Sequence, residues 1–296
     1  MRSHGIAEEM RRCFTALVSV AVDALRLVAE WPAENVAVGV ARRSDVVATR
    51  GELDREFRWA SVTKPVTALA ALVAAEEGTI DLDEPAGPLG STVRHLLAHA
   101  SGLPFEGREP IGRPGRRRIY SNTGFEVLAE HLAARANMPF PEYLRGAVLD
   151  PLGLRAELRG SAGAGLVGSL DDLLRLAREL VRPSLVAPET FEEAISVQFP
   201  GLAGVIPEMG RFDPNDWGLG FELRDRKPAH WSGTLPSERT FGHWGGSGTF
   251  LWVDPERQLA LACLTDLEFG DWARTAWPAL SDAVVDALAS DPGSER

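Results

Sequence analysis

Ser61-Val62-Thr63-Lys64 sets a hydroxyl and an amine three residues apart, on one face of a helical turn. A serine hydroxyl is a weak nucleophile at neutral pH until a neighbouring base takes its proton. A lysine amine becomes such a base when burial or nearby positive charge lowers its pKa. Residues 66–77 carry Ala68, Leu69, Leu72, Val73 and Ala74 and predict a mostly buried helix. Ser61 would open that helix after an extended Arg58-Trp59-Ala60, with the positive end of the helix dipole facing any developing oxyanion. Taken alone, the same four residues are more often a capping serine and a surface lysine.

Two later stretches decide between these readings. Tyr120-Ser121-Asn122 follows the turn signal Pro114-Gly115 and precedes an amphipathic helix expected over 125–135. The phenol of Tyr120 offers a proton shuttle, and cationic neighbours would lower its pKa. The Asn122 amide can orient a lysine or a substrate carbonyl. An ordinary turn and helix cap would use the same residue types. Further on, Phe241-Gly242-His243-Trp244-Gly245-Gly246-Ser247-Gly248 carries four glycines, at 242, 245, 246 and 248. Such density weakens a strand unless a ligand approaches an edge-strand backbone closely, or the segment is a glycine-rich hairpin.

Elements must hold these pieces together. Strands are expected over 35–41 and 46–50, joined through Arg42-Arg43-Ser44-Asp45, and again over 217–223, 248–253 and 259–265. The middle, 82–209, reads as helix and loop, with turn-rich breaks at 104–115 and 200–216. Helices are expected near both ends, over 8–30 and 272–289. Strands at both ends with helices between them indicate one α+β domain of two lobes. The sheet-bearing lobe would span about 1–80 and 210–296, and the helical lobe about 81–209, with a ligand cleft between them.

The three stretches, in this order, resemble the serine β-lactamase and penicillin-binding-protein superfamily, specifically its class C and esterase-like branch. Members carry S-x-x-K, then Y-x-N, then K-T-G or H-x-G. The resemblance runs from about Asn35 to Asp266. It implies an antiparallel sheet flanked by terminal helices, with an inserted all-helical lobe. It also implies an acyl-enzyme mechanism: Ser61 as nucleophile, Lys64 and Tyr120 sharing the proton, and Asn122 positioning Lys64 and the substrate. The N–H groups of Ser61 and Gly246 would form the oxyanion hole. Gly245 and Gly246 would line the substrate site beside His243 and Trp244, which stand where the family's lysine and threonine would be. Histidine has an unperturbed pKa near 6.5 and gives no fixed positive charge at pH 7.

Rival motifs carry less. Gly163-Ala164-Gly165-Leu166-Val167-Gly168 satisfies a dinucleotide fingerprint, but no hydrophobic strand precedes it and no βαβ unit surrounds it. Ser169 and Asp172 read as a capping box for a helix over 170–181. His95 and His99 have i, i+4 spacing, but Leu96 stands where a zinc protease needs its glutamate. No metal and no cofactor is expected. Cys13 and Cys263 are too few for a disulfide framework.

A formal charge of −11 argues against nucleic acid and anionic membrane surfaces as partners. The one basic cluster, Arg108, Arg113, Arg116, Arg117 and Arg118, leads into Tyr120 and reads first as solvated surface. Residues 14–28 are apolar but interrupted by Asp23 and Arg26, so neither a leader nor a membrane span is expected, and the compartment reads as cytoplasmic. The expected function is a serine hydrolase taking a small ester or amide, most readily short neutral esters in the manner of a carboxylesterase. The alternatives are a β-lactamase, a D-Ala-D-Ala carboxypeptidase or D-stereospecific amidase, and, from another class, a non-catalytic binding module. Retention of nucleophile, base and phenol together speaks against the last. Oligomeric state leaves no trace in the sequence.

Overall fold

The computed structural model describes residues 18–42, 45–228 and 230–289. In chain order its strands are β1 (Val36–Arg42), β2 (Asp45–Arg50), β3 (Phe57–Arg58), β4 (Arg118–Ile119), β5 (Glu157–Leu158), β6 (Leu166–Gly168), β7 (Gly204–Ile206), β8 (Gly210–Phe212), β9 (Glu222–Leu223), β10 (Phe241–Gly245), β11 (Thr249–Asp254) and β12 (Leu259–Thr265). The helices used below are α1 (Thr63–Glu76), α2 (Val93–Leu97), α3 (Asn122–Ala136), α4 (Phe140–Leu144), α5 (Leu170–Val181), α6 (Pro188–Ala194) and α7 (Asp271–Ala289).

Six strands form one sheet in the order β2-β1-β12-β11-β10-β9, with every neighbouring pair antiparallel. Covered on both faces, β12 is buried along its whole length and reads as an unbroken apolar run. Successive side chains serve opposite faces. Phe250, Trp252, Leu261 and Cys263 pack with Trp277, Leu280, Val284 and Leu288 of α7 and with Leu25 and Val28. The buried Trp252 indole finds a partner there, its Nε1 donating to Ser281 Oγ at 3.0 Å. Leu251, Val253, Ala260, Ala262 and Leu264 face the other way, towards α5 and the helical part of the chain. Gly39 of β1 lets α5 lie close, because a Cβ there would stand 2.8 Å from a Leu174 methyl.

The helix at the C-terminal end is where the pattern places it. Of the N-terminal helix expected over 8–30, residues 18–24 are helical and Leu25–Glu30 is a 3-10 turn, while 8–17 lie outside the described residues, as does Cys13. Cys263 is buried and behaves as a small hydrophobe. The opening hairpin has strands within one residue of expectation.

One strand is shorter than expected. Of 217–223, only Glu222–Leu223 joins the sheet, and Trp217 makes a single isolated bridge. The intervening glycines are used for close packing: a Cβ on Gly218 would stand 2.1 Å from Ala194 O, and one on Gly220 2.2 Å from Ala68 Cβ. The segment tucks against α1 and α6 instead of extending, which turns Trp217 towards Tyr120 at 5.8 Å between ring centroids.

Helix α1 is the pivot of the molecule. Eleven of its residues, from Thr63 to Ala74, are buried, so its alanine-rich composition reflects packing all round rather than one apolar stripe. Leu69 and Leu72 share a core with Leu96 of α2, Leu128 and Leu132 of α3 and Leu144 of α4. Among the described residues, no helix is long and apolar enough to cross a membrane.

Candidate active site

Ser61 lies in a 3-10 turn, Ala60–Val62, that feeds directly into α1. Ala60 is held at φ 45°, a left-handed conformation that costs a non-glycine residue energy and persists only under constraint. The constraint comes from the sheet. Thr249 Oγ1 donates to Trp59 O at 2.9 Å, Ser247 Oγ donates to Arg58 O at 2.7 Å, and Trp59 N donates to Leu166 O at 2.9 Å. Gly245 makes this approach possible, since a Cβ there would stand 2.5 Å from Trp59 O and 3.1 Å from Ala60 Cβ. Most of the unexplained glycine density therefore serves protein packing, while Gly246 is exposed with open space beside it. The Gly246 carbonyl accepts from Phe269 N at 2.9 Å, which fixes the peptide following it at the cavity edge.

Ser61 makes no side-chain cap to α1, and Lys64 is fully buried, so the capping-serine and surface-lysine reading does not hold. The Lys64 Nζ has three partners: Ser61 Oγ at 3.1 Å, Asn122 Oδ1 at 2.7 Å and Gly163 O at 2.8 Å. Two of these are obligate acceptors and take one N–H each. The third direction, towards Ser61 Oγ, is then open for the lone pair of a neutral amine to accept the hydroxyl proton. Burial holds the Lys64 pKa well below that of a free lysine, with the Glu126 carboxylate pulling back towards the charged form. The amine also stands 4.7 Å from the centroid of the Tyr120 ring.

Asn122 is the first residue of α3, where the Ser121 hydroxyl caps the helix by accepting from Gly124 N at 2.8 Å. Tyr120 is fixed from the other side. Ile119 N donates to His99 O at 2.8 Å, and Ser121 N donates to His99 Nδ1 at 3.1 Å. The Tyr120 ring sits among His99, Phe105, Trp217 and His243. This apolar cage raises the phenol pKa, against the lowering that cationic neighbours suggested; a hydrogen bond with Ser61 opposes the rise only in part. Tyr120 therefore stays protonated at neutral pH, and the lysine beside it is the group poised to lose its charge.

His243 is buried on β10, with Nδ1 2.7 Å from Trp244 O. A carbonyl only accepts, so Nδ1 carries the proton and Nε2 presents a lone pair to Tyr120 Oη at 3.5 Å. Burial, reinforced by the proximity of Lys64, lowers the His243 pKa to about 3. The imidazole is neutral throughout the physiological range. Trp244 points to the opposite sheet face, where its indole packs on Phe269 at 4.4 Å between ring centroids. It still contributes to the cavity lining, but as part of that packed face.

The cavity over Ser61 has a volume of about 900 Å³. Phe105, Ile119, Tyr120, Ile206, Gly246 and Phe269 are among the residues lining it. The arginine cluster divides by role. Arg108 pairs with Glu130, and Arg118 is buried, donating to the carbonyls of Ala98, Asn215 and Gln198. Arg118 is thus a clamp on three loops behind Tyr120, not the solvated surface the sequence suggested for it.

Sequence reasoning missed Gly163, His99 and Ala60. Gly163 lay inside the dismissed fingerprint, just before the Ser169 and Asp172 that do form their capping box, but its carbonyl is one of the two fixed acceptors of Lys64. A Cβ there would meet Phe125 Cβ at 3.3 Å. His95 and His99 act separately: His95 pairs with Thr92 Oγ1 at 2.9 Å and stacks on Phe199, while His99 braces Tyr120. No group of three or more His, Cys, Asp or Glu residues among the described residues is placed to hold a metal ion.

Comparison with known proteins gives a family model described as Beta-lactamase, matching residues 26–285. A β-lactamase crystal structure from Mycobacterium bovis is 50% identical and superposes with a TM-score of 0.88, covering 90% of this chain and 99% of that one. EstCE1, a hydrolase with promiscuous acyltransferase activity, superposes with a TM-score of 0.74 at 19% identity, covering 92% of this chain and 99% of that one. Penicillin-binding protein 4* of Bacillus subtilis is 28% identical over 131 residues, 33% of this chain, and the chain covers 29% of that relative's length.

Proposed function

The chain belongs to the beta-lactamase family, and within that family of hydrolases we propose that it is a serine esterase working through an acyl-enzyme. The observation that carries the reading is the neutral environment at the nucleophile: a depressed Lys64, a protonated Tyr120 and an uncharged His243 around Ser61. Ser61 Oγ attacks the ester carbonyl as its proton passes to Lys64 Nζ. Tyr120, within hydrogen-bond reach of both Ser61 and His243 Nε2, hands a proton to the departing alkoxide and is restored from Lys64. The C–O bond to the leaving group breaks, and the acyl group remains on Ser61. Water then attacks the acyl carbonyl and gives its proton to Lys64; the C–Oγ bond breaks, Ser61 Oγ recovers a proton from the Lys64–Tyr120 pair, and the acid is released. The N–H groups of Ser61 and Gly246 hold the oxyanion.

A β-lactam or a D-alanyl peptide carries a carboxylate next to the scissile amide. Desolvating that charge without a cationic partner is costly. His243, where the family's lysine would stand, supplies no charge, and this favours an ester over both. The β-lactamase reading retains one point in its favour, the 50% identity to a Mycobacterium bovis protein of that name. The test compares kcat/KM for p-nitrophenyl butyrate and nitrocefin in the wild type and in a His243→Lys, Trp244→Thr variant. Ester hydrolysis is expected to dominate in the wild type, and relative nitrocefin turnover to rise in the variant. Efficient wild-type nitrocefin turnover that falls on installing the lysine would overturn the esterase reading.

A further inference from the structure

The cavity over Ser61 is far larger than a short acyl group needs, and its rim is not neutral. At about 900 Å³ it lies near the top of the range for small-molecule pockets, so an acetyl or butyryl group would leave most of it to water. Three large apolar side chains on its lining are open to solvent: Phe105 is 45% exposed, Ile111 56% and Val205 56%. A long apolar body on the substrate would cover them.

Arg116 and Arg117 line the same cavity at its exposed margin. Arg117 Nη2 donates to Ile111 O at 2.9 Å, which holds that guanidinium near the mouth. Neither arginine has a carboxylate within ion-pair distance among the described residues, in a protein of net charge −11. The other charges on the lining are differently engaged. Arg118 is committed to backbone carbonyls, Arg211 to Asp213 at 3.4 Å, and Glu208 to Arg274 at 3.4 Å; Glu268 is an exposed carboxylate on the lining with no ion-pair partner among the described residues, so the two arginines outweigh it by one charge.

The gradient from an uncharged reacting end to a cationic rim specifies a substrate with opposite requirements at its two ends. We propose that this enzyme takes amphiphilic esters: a neutral scissile ester, a long apolar acyl chain, and a carboxylate or other anionic group at the far end, bound by Arg116 and Arg117. The assignment rests on the esterase reading of the same site. It separates such esters from β-lactams by where the anion sits, remote from the carbonyl rather than beside it.

The experiment uses four p-nitrophenyl esters: the butyrate, the octanoate, and the monoesters of succinic and suberic acid. The last two carry a terminal carboxylate at matching chain lengths. The wild type is expected to favour the suberate over the octanoate by about tenfold in kcat/KM, the scale of a charge-assisted hydrogen bond on a partly wet guanidinium. A smaller gain is expected for the succinate over the butyrate, because the four-carbon diacid holds its carboxylate close to the scissile carbonyl. In an Arg116→Gln, Arg117→Gln variant the suberate-to-octanoate ratio should fall to about one. Because that ratio is internal to each protein preparation, partial misfolding cancels from it. Raising the salt concentration should lower the wild-type ratio in the same direction. A wild-type ratio near one while a fluorophosphonate probe still labels Ser61 would overturn the amphiphile assignment and leave the esterase intact. A large ratio that survives in the variant would also overturn it. Absence of both turnover and Ser61 labelling would remove the esterase reading and this assignment with it.

Discussion

Replacing Asn122 by aspartate tests whether the neutral Lys64 amine is the working base. Asn122 Oδ1 lies 2.7 Å from Lys64 Nζ, so the substitution exchanges an uncharged acceptor for a carboxylate with almost no change of shape. Two unit charges 4 Å apart attract by about 4 kcal/mol at an effective dielectric of about 20, and at this closer spacing by about 6 kcal/mol. Desolvation of the new carboxylate offsets part of that. If half survives, the ammonium form gains about 3 kcal/mol, or about two pKa units. The sign is fixed by the chemistry: turnover needs the free amine, so activity rises with pH through the Lys64 pKa, and a carboxylate moves that acid limb upward. On the limb, Asn122→Asp should hold about a hundredfold less free base than the wild type at the same pH. The assay is kcat/KM for p-nitrophenyl octanoate between pH 4 and 10, alongside the rate of fluorophosphonate labelling. Asn122→Ala, which removes the acceptor without adding charge, should not move the limb upward. Glu126→Gln, which removes the one charge drawing Lys64 towards protonation, should move it down. An acid limb that stays in place in Asn122→Asp while Ser61 still labels would refute Lys64 as the base.

Two other substitutions follow from the same groups. Lys64→Met should lower turnover by at least two to four powers of ten while raising Tm at pH 7, because it removes a buried amine whose folded pKa lies below its unfolded one. Between those two pKa values the unfolded chain holds a proton that the folded chain lacks, so wild-type stability rises with pH there. The Tm advantage of the variant should therefore shrink as pH approaches 10, and an advantage growing with pH in thermal melts would contradict this. Tyr120→Phe should lower kcat by about two to four powers of ten with Ser61 still titratable by the probe, and should combine with Lys64→Met far less than additively. Full single-turnover acylation in Tyr120→Phe would remove the phenol from the proton path.

The sequence made the reacting groups legible because their chemistry is local or ordered along the chain. Ser61 and Lys64 are one turn apart, and Tyr120 and Asn122 bracket a helix cap, so residue type and spacing were enough to pair them. The C-terminal helix, the opening hairpin and helix α5 were legible from periodicity and capping. Features that depend on three-dimensional neighbours were not. Gly163 contributes only its carbonyl to Lys64, and a backbone atom leaves no mark on residue type. The Tyr120 pKa was expected to fall because cationic neighbours were anticipated around the phenol. The aromatic cage that desolvates the phenol, and so reverses the expectation, is a matter of three-dimensional neighbours. Trp217 read as a strand residue because its neighbours are apolar; the packing of Gly218 and Gly220 against α6 and α1 withdrew it from the sheet. The glycines of β10 suggested room for a ligand. Gly245 instead makes room for the backbone that carries the nucleophile.

Ser61 as the covalent nucleophile can be checked by intact-mass spectrometry of the protein after reaction with a fluorophosphonate probe, followed by peptide mapping. A single adduct is expected on the peptide containing Ser61 in the wild type and none in Ser61→Ala. An adduct of the same mass that persists in Ser61→Ala, or that maps to another serine in the wild type, would contradict it.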